Sequence, residues 1–557
     1  MDAAQVQFNL NNTWVLITGA MVFVMQAGFL CLEAGLTRTK NNINVSLTNM
    51  IDFSVTTLLF WLFGFAFMFG PSINHVGILG AGLPGVNFGP EFMPGASNEQ
   101  ARNIVFFFFQ LMFCATSVTI LAGAVAERIH FAGYVLISAL TAGLTYPVFG
   151  HWAWGGVDTG TFTGWLGSHG FVDFAGSSVV HSMGGWICLA MIIIIGARSG
   201  RFGKDGKPVR IPGSNIPLAV LGTFLLWFGW FGFNAGSALM MNNDVGHIIT
   251  TTVVAGAAGM VAAMFLSWFL RGRVEVDLLM NGTLAGLVAI TANCRAVTVS
   301  SAVIIGAGGA VAMMIVDDLL LRFKLDDPVG AIPVHLGGGI WGTLAVGIFG
   351  MPQFLAGSNP AIDADNFNRL SQIAIQVVGI IACGIWAFGV TFIVANVINR
   401  FFKLRVTDVD EQIGLNISEH GASNELLDLF NVMDEQTRTG DLSLRAPVEP
   451  FTEVGQIAER YNYMMNALEQ AVARTDAIVR TAVDAIVTFS QQSLRVNTLN
   501  PAAEAIFGYP SGQLNGALIT HLFTSPGAPT LSDGEAGALL VEMAHSDKYR
   551  EVVGRRA

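Results

Sequence analysis

Charge is what this sequence lacks most. Of 557 residues, 12% are Asp, Glu, Lys or Arg and 52% are hydrophobic, where a soluble domain carries roughly 25% charged residues. That scarcity excludes the string of three or four soluble domains the length alone would allow. Positive charge is not in excess: the formal net charge is −11, which excludes a nucleic-acid-binding surface. Cysteines number five, at Cys31, Cys114, Cys188, Cys294 and Cys383, each in an apolar run far from the next. With no CxxC pair they indicate neither a zinc site nor a disulfide framework, and they do not report the redox compartment. The N-terminus, Met1-Asp2-Ala3-Ala4-Gln5, lacks the basic stretch of a cleavable signal peptide. No GxxxxGK[ST] loop points to an ATP-driven pump, and Gly80–Gly85 fits GxGxxG without a strand before it. No Ser/His/Asp set has a local signature. Neither enzymatic activity nor a cofactor or metal is expected.

What is present is apolar length, rich in glycine (64) and phenylalanine (41). Charge divides the chain: Met1–Arg405 holds 18 basic and 18 acidic residues, Val406–Ala557 holds 10 and 21. The front is membrane-embedded and the back is an acidic, water-soluble tail. A crossing helix needs about 20 mostly apolar residues, and eleven stretches qualify: roughly 13–36, 50–70, 103–126, 131–150, 176–196, 215–234, 246–270, 277–294, 299–316, 331–351 and 370–398. An odd number puts the termini on opposite sides. Fifteen Lys and Arg, Arg38, Lys40, Arg128 and Arg198 among them, fall on one side; only Arg102, Arg295 and Arg369 fall on the other. The positive-inside rule then predicts an external N-terminus and a cytoplasmic tail.

A weak internal repeat runs through the spans. Val180-His181-Ser182-Met183-Gly184-Gly185-Trp186 in the fifth resembles Val334-His335-Leu336-Gly337-Gly338-Gly339-Ile340-Trp341 in the tenth. Five spans per repeat make the halves inverted, a transporter plan that places the site at the repeat interface. Ionisable residues at membrane depth are rare and face a cavity or a partner, so His181 and His335 are the first candidates. Either each is satisfied separately by carbonyls or hydroxyls, or they face each other across the pseudo-two-fold axis. As a pair they could share or relay a proton. Asp173, eight residues before His181, reads as a helix N-cap or as an attractant for a cation; both favour a cation nearby. Phe113, Trp154 and Phe233 read as belt or packing aromatics or as a cage, since a desolvated tryptophan face attracts a cation by about 1–2 kcal/mol.

Asp173-Phe174-Ala175-Gly176-Ser177-Ser178-Val179-Val180-His181, continuing to Gly196-Ala197-Arg198, closely resembles the ammonium transporter (Amt/Rh) family over roughly residues 8–421. Gly123–Arg128, Trp230–Ser237, and Asp326-Asp327-Pro328 leading to Val334-His335 match in family order. The resemblance implies an all-α polytopic membrane fold of eleven transmembrane helices in an inverted 5+5 repeat. It also implies an inner (plasma) membrane homotrimer with one pore per subunit. Ammonium recruitment would map onto Trp154, Ser237 and Phe113, the gate onto Phe113 and Phe233, and the twin-histidine centre onto His181 and His335. Thr291 would lie near the path, with Asp173 and Asp327 in support. Extra residues between Trp154 and Asp173 leave Trp165 as the rival cage tryptophan. Gly330 stands where many relatives carry an acidic residue, which bears on the inner vestibule.

The expected domains are 1–405, the membrane domain; 406–422, the family's C-terminal segment; 423–475, a helical relay; and 476–557, a sensor domain that stops before completion. In the second segment Asn416 and Ala422 replace the usual Asp and Glu, which argues against a PII-type partner. In the relay, two helices flank Gly440, and Ile457, Tyr461, Met464, Leu468 and Ala471 follow the 4-3-4-3 spacing of a coiled-coil seam; a solvated linker helix is the plainer alternative. Glu453-Val454-Gly455-Gln456-Ile457-Ala458 resembles the second helix of a HAMP domain, a dimeric module where the transporters are trimers. Ala485–Phe489 and Asn500-Pro501 through Gly508-Tyr509 resemble a partial α+β PAS domain, as if an output module such as a kinase or cyclase were to follow. Conduction of ammonium with a regulatory tail, and ammonium sensing that drives a downstream signalling partner, both remain open.

Overall fold

The computed structural model describes residues 2–73, 77, 80, 97–422, 425–490, 492–510, 512–524, 538 and 553–554. The GxGxxG stretch at 81–85 and most of 525–557 lie outside them. Two compact units emerge, Met1–Ser423 and Asn424–Ala557.

In the first unit, nine helices among the described residues are long and apolar enough to cross a membrane. They run Ala3–Leu36, Thr39–Phe69, Asn98–Val125, Phe131–Thr159, Ser177–Ile195, Ile216–Gly236, Asp244–Arg271, Val299–Arg322 and Arg369–Phe401. Two shorter apolar helices, Val276–Thr291 and Pro333–Phe349, complete the eleven expected spans. This is a multi-pass membrane protein. Several spans begin before their apolar runs because polar caps start them: Asp2 accepts from the Gln5 amide, and Ser97 and Gln100 form a reciprocal capping box. Glycines hold the spans at backbone distance, the small-residue packing that membrane helices use in place of hydrophobic drive. A Cβ on Gly222 would lie 2.4 Å from the Leu32 amide, and one on Gly306 would lie 2.1 Å from the Ala255 carbonyl.

The fifth and tenth spans open alike. Ser177–Ser182 and Pro333–Gly337 are π-helical turns leading into α-helix, a widening that recurs at functional sites. A left-handed glycine precedes each, Gly176 at φ +114° and Gly330 at φ +78°. An aspartate cradles each start. Asp173 accepts from the amides of Gly176, Ser177, Ser178 and Val179 at 2.8–2.9 Å. Asp327 accepts from Gly330 at 3.0 Å and Ile332 at 2.7 Å. The pattern Asp-x2-Gly-x4-His thus occurs in both halves.

Beyond the last span, helices Asp408–Ile413 and Leu415–His420 lie across the loops that carry most of the positive charge. Asn416 bonds to the Asn44 amide and the Thr39 carbonyl, Glu419 to His130 at 2.6 Å, and Lys40 to the carbonyls of Glu411 and Gln412. The asparagine at 416 therefore works as a docking residue within its own chain.

The second unit begins with helices Glu425–Thr439 and Glu453–Thr481, with Gly440 left-handed after the first. The second runs six residues past the expected boundary at 475. Leu429, Ala446 and Ala458 make a small core, while Ile457, Met464 and Leu468 stay exposed. Strands Val487–Phe489 and Val496–Leu499 then pair antiparallel, and helix Pro501–Phe507 follows, capped by Asn500 and ended by left-handed Gly508. With Val496, Leu514, Ile519 and Leu522 as its core, this is the mixed α+β arrangement expected of a partial PAS-like domain.

Candidate functional site

The first turns of the fifth and tenth spans meet, and with them the two histidines. His181 Nδ1 and His335 Nδ1 are 3.1 Å apart, with rings nearly parallel at 19°. Both side chains are buried. One proton shared between facing Nδ1 atoms makes one imidazole the donor and the other the acceptor. The outward Nε2 atoms are then unlike: one offers a lone pair, the other a proton. His181 Nε2 is buried with no hydrogen-bond partner, so it remains open to a guest.

Aromatic rings continue the line from His181. Phe233 stacks 5.4 Å from it, and Phe113 lies 4.0 Å from Phe233 at 20°. No molecule passes rings so close until they part. Beyond them Trp154 stands edge-on to Phe113 at 6.2 Å and Phe109 tilts at 4.7 Å. These residues, with Gln110, Phe174 and Ser237, enclose a cavity of about 20 Å³, enough for one water-sized guest. Ser237 donates to the Phe233 carbonyl at 2.9 Å, which leaves its lone pairs available. The cage opens into a vestibule of about 650 Å³. On the far side of the histidines lies a cavity of about 10 Å³ lined by His335, Glu33, Asn281, Phe29 and Gly330.

Of the two tryptophans left open by the sequence, Trp154 stands by Phe113, its Nε1 donating to the Asp173 carbonyl at 2.6 Å; Trp165 packs on Trp152 at 5.7 Å. Thr291 acts at one remove: its hydroxyl accepts from Trp230 Nε1 at 2.8 Å, and Trp230 stacks 5.0 Å from His181. Asp173 and Asp327 spend their carboxylates on backbone amides and touch the site through the helix starts they hold. Gly330 is tied to its conformation, since a Cβ there would come within 2.3 Å of Asn281 Nδ2.

On the face carrying the basic loops, Glu127 joins Arg38 and Arg198, and Asp326 joins Arg198 at 2.7 Å and Arg201 at 3.1 Å. Burial opposes the charge on Asp326, but Arg198 and Arg128 outweigh it and hold the carboxyl down at about 2.

A sequence profile described as the Ammonium Transporter Family matches residues 13–425. The chain belongs to that family. Ammonium transporter Amt2 of Archaeoglobus fulgidus is 41% identical over 422 residues, 73% of this chain and 86% of its own. A Synechocystis chain named provisionally as an ammonium transporter is 48% identical over 465 residues, 83% of this chain and 82% of its own. That span exceeds what residues 1–425 can supply, so the likeness continues into the tail. Among solved structures, one described as a sensor Amt protein superposes with a TM-score of 0.70 at 41% identity, covering 75% of this chain and all of that one. Mep2 of Saccharomyces cerevisiae superposes with a TM-score of 0.62 at 26% identity, covering 72% and 87%.

Three neighbours of this candidate site have no role in the sequence analysis. Trp230 stacks on His181, and Phe109 lies one helical turn from Phe113. Gln110 carries a buried Oε1 without a partner at the cage wall. The i, i+4 spacing of Phe109 and Phe113 is a usable signal; Gln110, in a phenylalanine-rich run, offers none.

Proposed function

We propose that this protein binds ammonium at the aromatic cage and conducts it across the membrane by the histidine pair, with the tail coupled to occupancy. The observation that carries the reading is the direct contact of His181 and His335 behind a stacked phenylalanine pair. Ammonium entering the cage trades its water for the ring faces of Phe113 and Trp154 and for the oxygens of Ser237 and Gln110. The stack beyond is wholly apolar and disfavours charge, so ammonium gives one proton to water of the vestibule as an N–H bond breaks, and the species that crosses is ammonia. The histidine pair suits ammonia by its unlike nitrogens, one accepting N–H and one donating to the lone pair. Potassium has neither group, and the pair has no means of replacing its hydration shell.

Fifteen basic residues against three support an inner-membrane orientation with the N-terminus outside and the tail in the cytoplasm. We infer a homotrimer from the family likeness. The helical relay and the PAS-like unit support a signalling role, toward a downstream module or response regulator. A second reading is favoured by the likeness to a structure described as a sensor Amt protein: a receptor that binds ammonium without passing it. Ammonium and potassium uptake into proteoliposomes, beside calorimetric binding to the same protein, separates the readings. Saturable flux of ammonium alone supports conduction. Binding without flux supports the receptor, and neither binding nor flux contradicts both.

A further inference from the structure

Glu33 is a buried carboxyl group in the first span that the pathway above leaves unused. It is 2% exposed, and its Oε2 accepts from Asn49 Nδ2 at 2.8 Å. Asn49 Oδ1 beside it is buried with no hydrogen-bond partner. The charged groups around Glu33 are carboxyls: Asp52 from the second span and Asp327 from the segment before the tenth. The third span presents the Gly123 backbone, where a Cβ would lie 3.1 Å from Glu33 Oε1. One turn beyond, Arg38 on the same chain segment is committed to Glu127. Among the described residues Glu33 has no ion-pair partner, although an unpaired charge at this depth is strongly disfavoured.

Its position explains why such a group is kept there. Glu33 lines the small cavity beneath His335, together with Asn281. Phe29, whose ring is 6.3 Å from His335, precedes Glu33 by one helical turn on the same helix face. The carboxyl therefore stands about 6 Å further along the helix, between the histidine pair and the ion pairs of the basic-loop face. Asp52, by contrast, is bonded by Tyr134 and Thr119 and lines neither this cavity nor the cage.

We propose that Glu33 is the proton-exchange group at the inner end of the pathway. Substrate leaves His335 as ammonia; the carboxyl O–H bond breaks as the fourth N–H bond forms on the nitrogen lone pair, and ammonium departs from a carboxylate. Water on the cytoplasmic side returns the proton to Glu33 and is left as hydroxide, and outward movement reverses both steps. The cation formed is the counter-charge that the site otherwise lacks, while Asn49 holds the carboxylate meanwhile.

The proposal rests on the histidine-pair pathway, and its test is separable from that reading. Infrared difference spectra of the full-length protein in bilayers, with ammonium exchanged against potassium, read the carboxyl directly. In the native protein ammonium should change a carboxyl C=O band. Glu33→Gln should remove that change, and Glu33→Asp should retain it at a displaced frequency. Ammonium flux in proteoliposomes should fall at least tenfold in E33Q and recover partly in E33D. Absence of native flux would sink conduction while leaving the infrared result to judge Glu33. No native band change, the same change in E33Q, or unaltered E33Q flux would overturn the proposal. Should E33Q fail to assemble by gel filtration, the native and E33D spectra decide.

Discussion

At the scale of single residues, the site combines groups that attract a cation with groups that refuse one. Trp154 and Phe113 contribute about 1–2 kcal/mol each to a desolvated cation, and the stacked Phe113 and Phe233 offer nothing polar beyond. Trp154→Leu should therefore raise the ammonium concentration for half-saturation by about fivefold to thirtyfold, read by calorimetry or flux, and lower the thermal midpoint because the Asp173 carbonyl loses its donor. Residue types and order make His181, His335, Phe113 and Phe233 legible in the sequence, because an intramembrane histidine or a repeated motif is rare enough to be noticed. What Glu33, Trp230 and Gln110 contribute is not legible there. Their importance comes from what lies against them, and those neighbours are distant in the chain.

At the scale of elements, two helix starts hold the histidines. Asp173 satisfies four amides with one carboxylate; an asparagine offers one acceptor oxygen and leaves amides buried and unpaired at about 1–3 kcal/mol each. Asp173→Asn should lower the thermal midpoint and weaken ammonium binding together, seen by differential scanning fluorimetry and calorimetry on one sample. The inverted repeat is legible in the residues after the histidines, His-x-x-Gly-Gly. Its stronger half, Asp-x2-Gly-x4-His, is harder to see in the chain, because the aspartates show a common purpose only through their amide partners. Span boundaries follow hydropathy closely, except where caps such as Asp2 and Ser97 lengthen the helices. The Asp326–Arg198 element makes a prediction in pH. The carboxyl is held at about 2 in the folded protein, against roughly 3.9 when unfolded. It thus contributes roughly 2–3 kcal/mol that is fully present above pH ~4 and is lost as pH falls toward ~2. Asp326→Asn should lower stability at neutral pH and flatten this acid limb in pH-dependent unfolding.

At the scale of the whole molecule, a membrane unit of transporter plan precedes an acidic unit of two long helices and a small α+β core. Composition comes close to that division: charge changes abruptly past Arg405, and the units part between Ser423 and Asn424. The docked helices Asp408–Ile413 and Leu415–His420 bind the loops on the basic face, so rearrangement of those loops has a path to residue 421 and onward. If occupancy is read by the tail, spin labels at Met464 and Leu468, exposed on the relay helix, should change mobility or inter-subunit distance when ammonium is added. The change should be absent with potassium, and pulsed electron paramagnetic resonance makes the check.

The claim on which the rest depends is that ammonium is handled by the paired histidines. The direct measurement is ammonium flux into proteoliposomes, for the native chain and for the His181→Ala/His335→Ala double variant, with potassium as the competing cation. The account predicts a saturable ammonium flux in the native protein that potassium does not share, and its loss, or loss of its selectivity over potassium, in the double variant. A double variant that keeps the native flux and the native selectivity would contradict it.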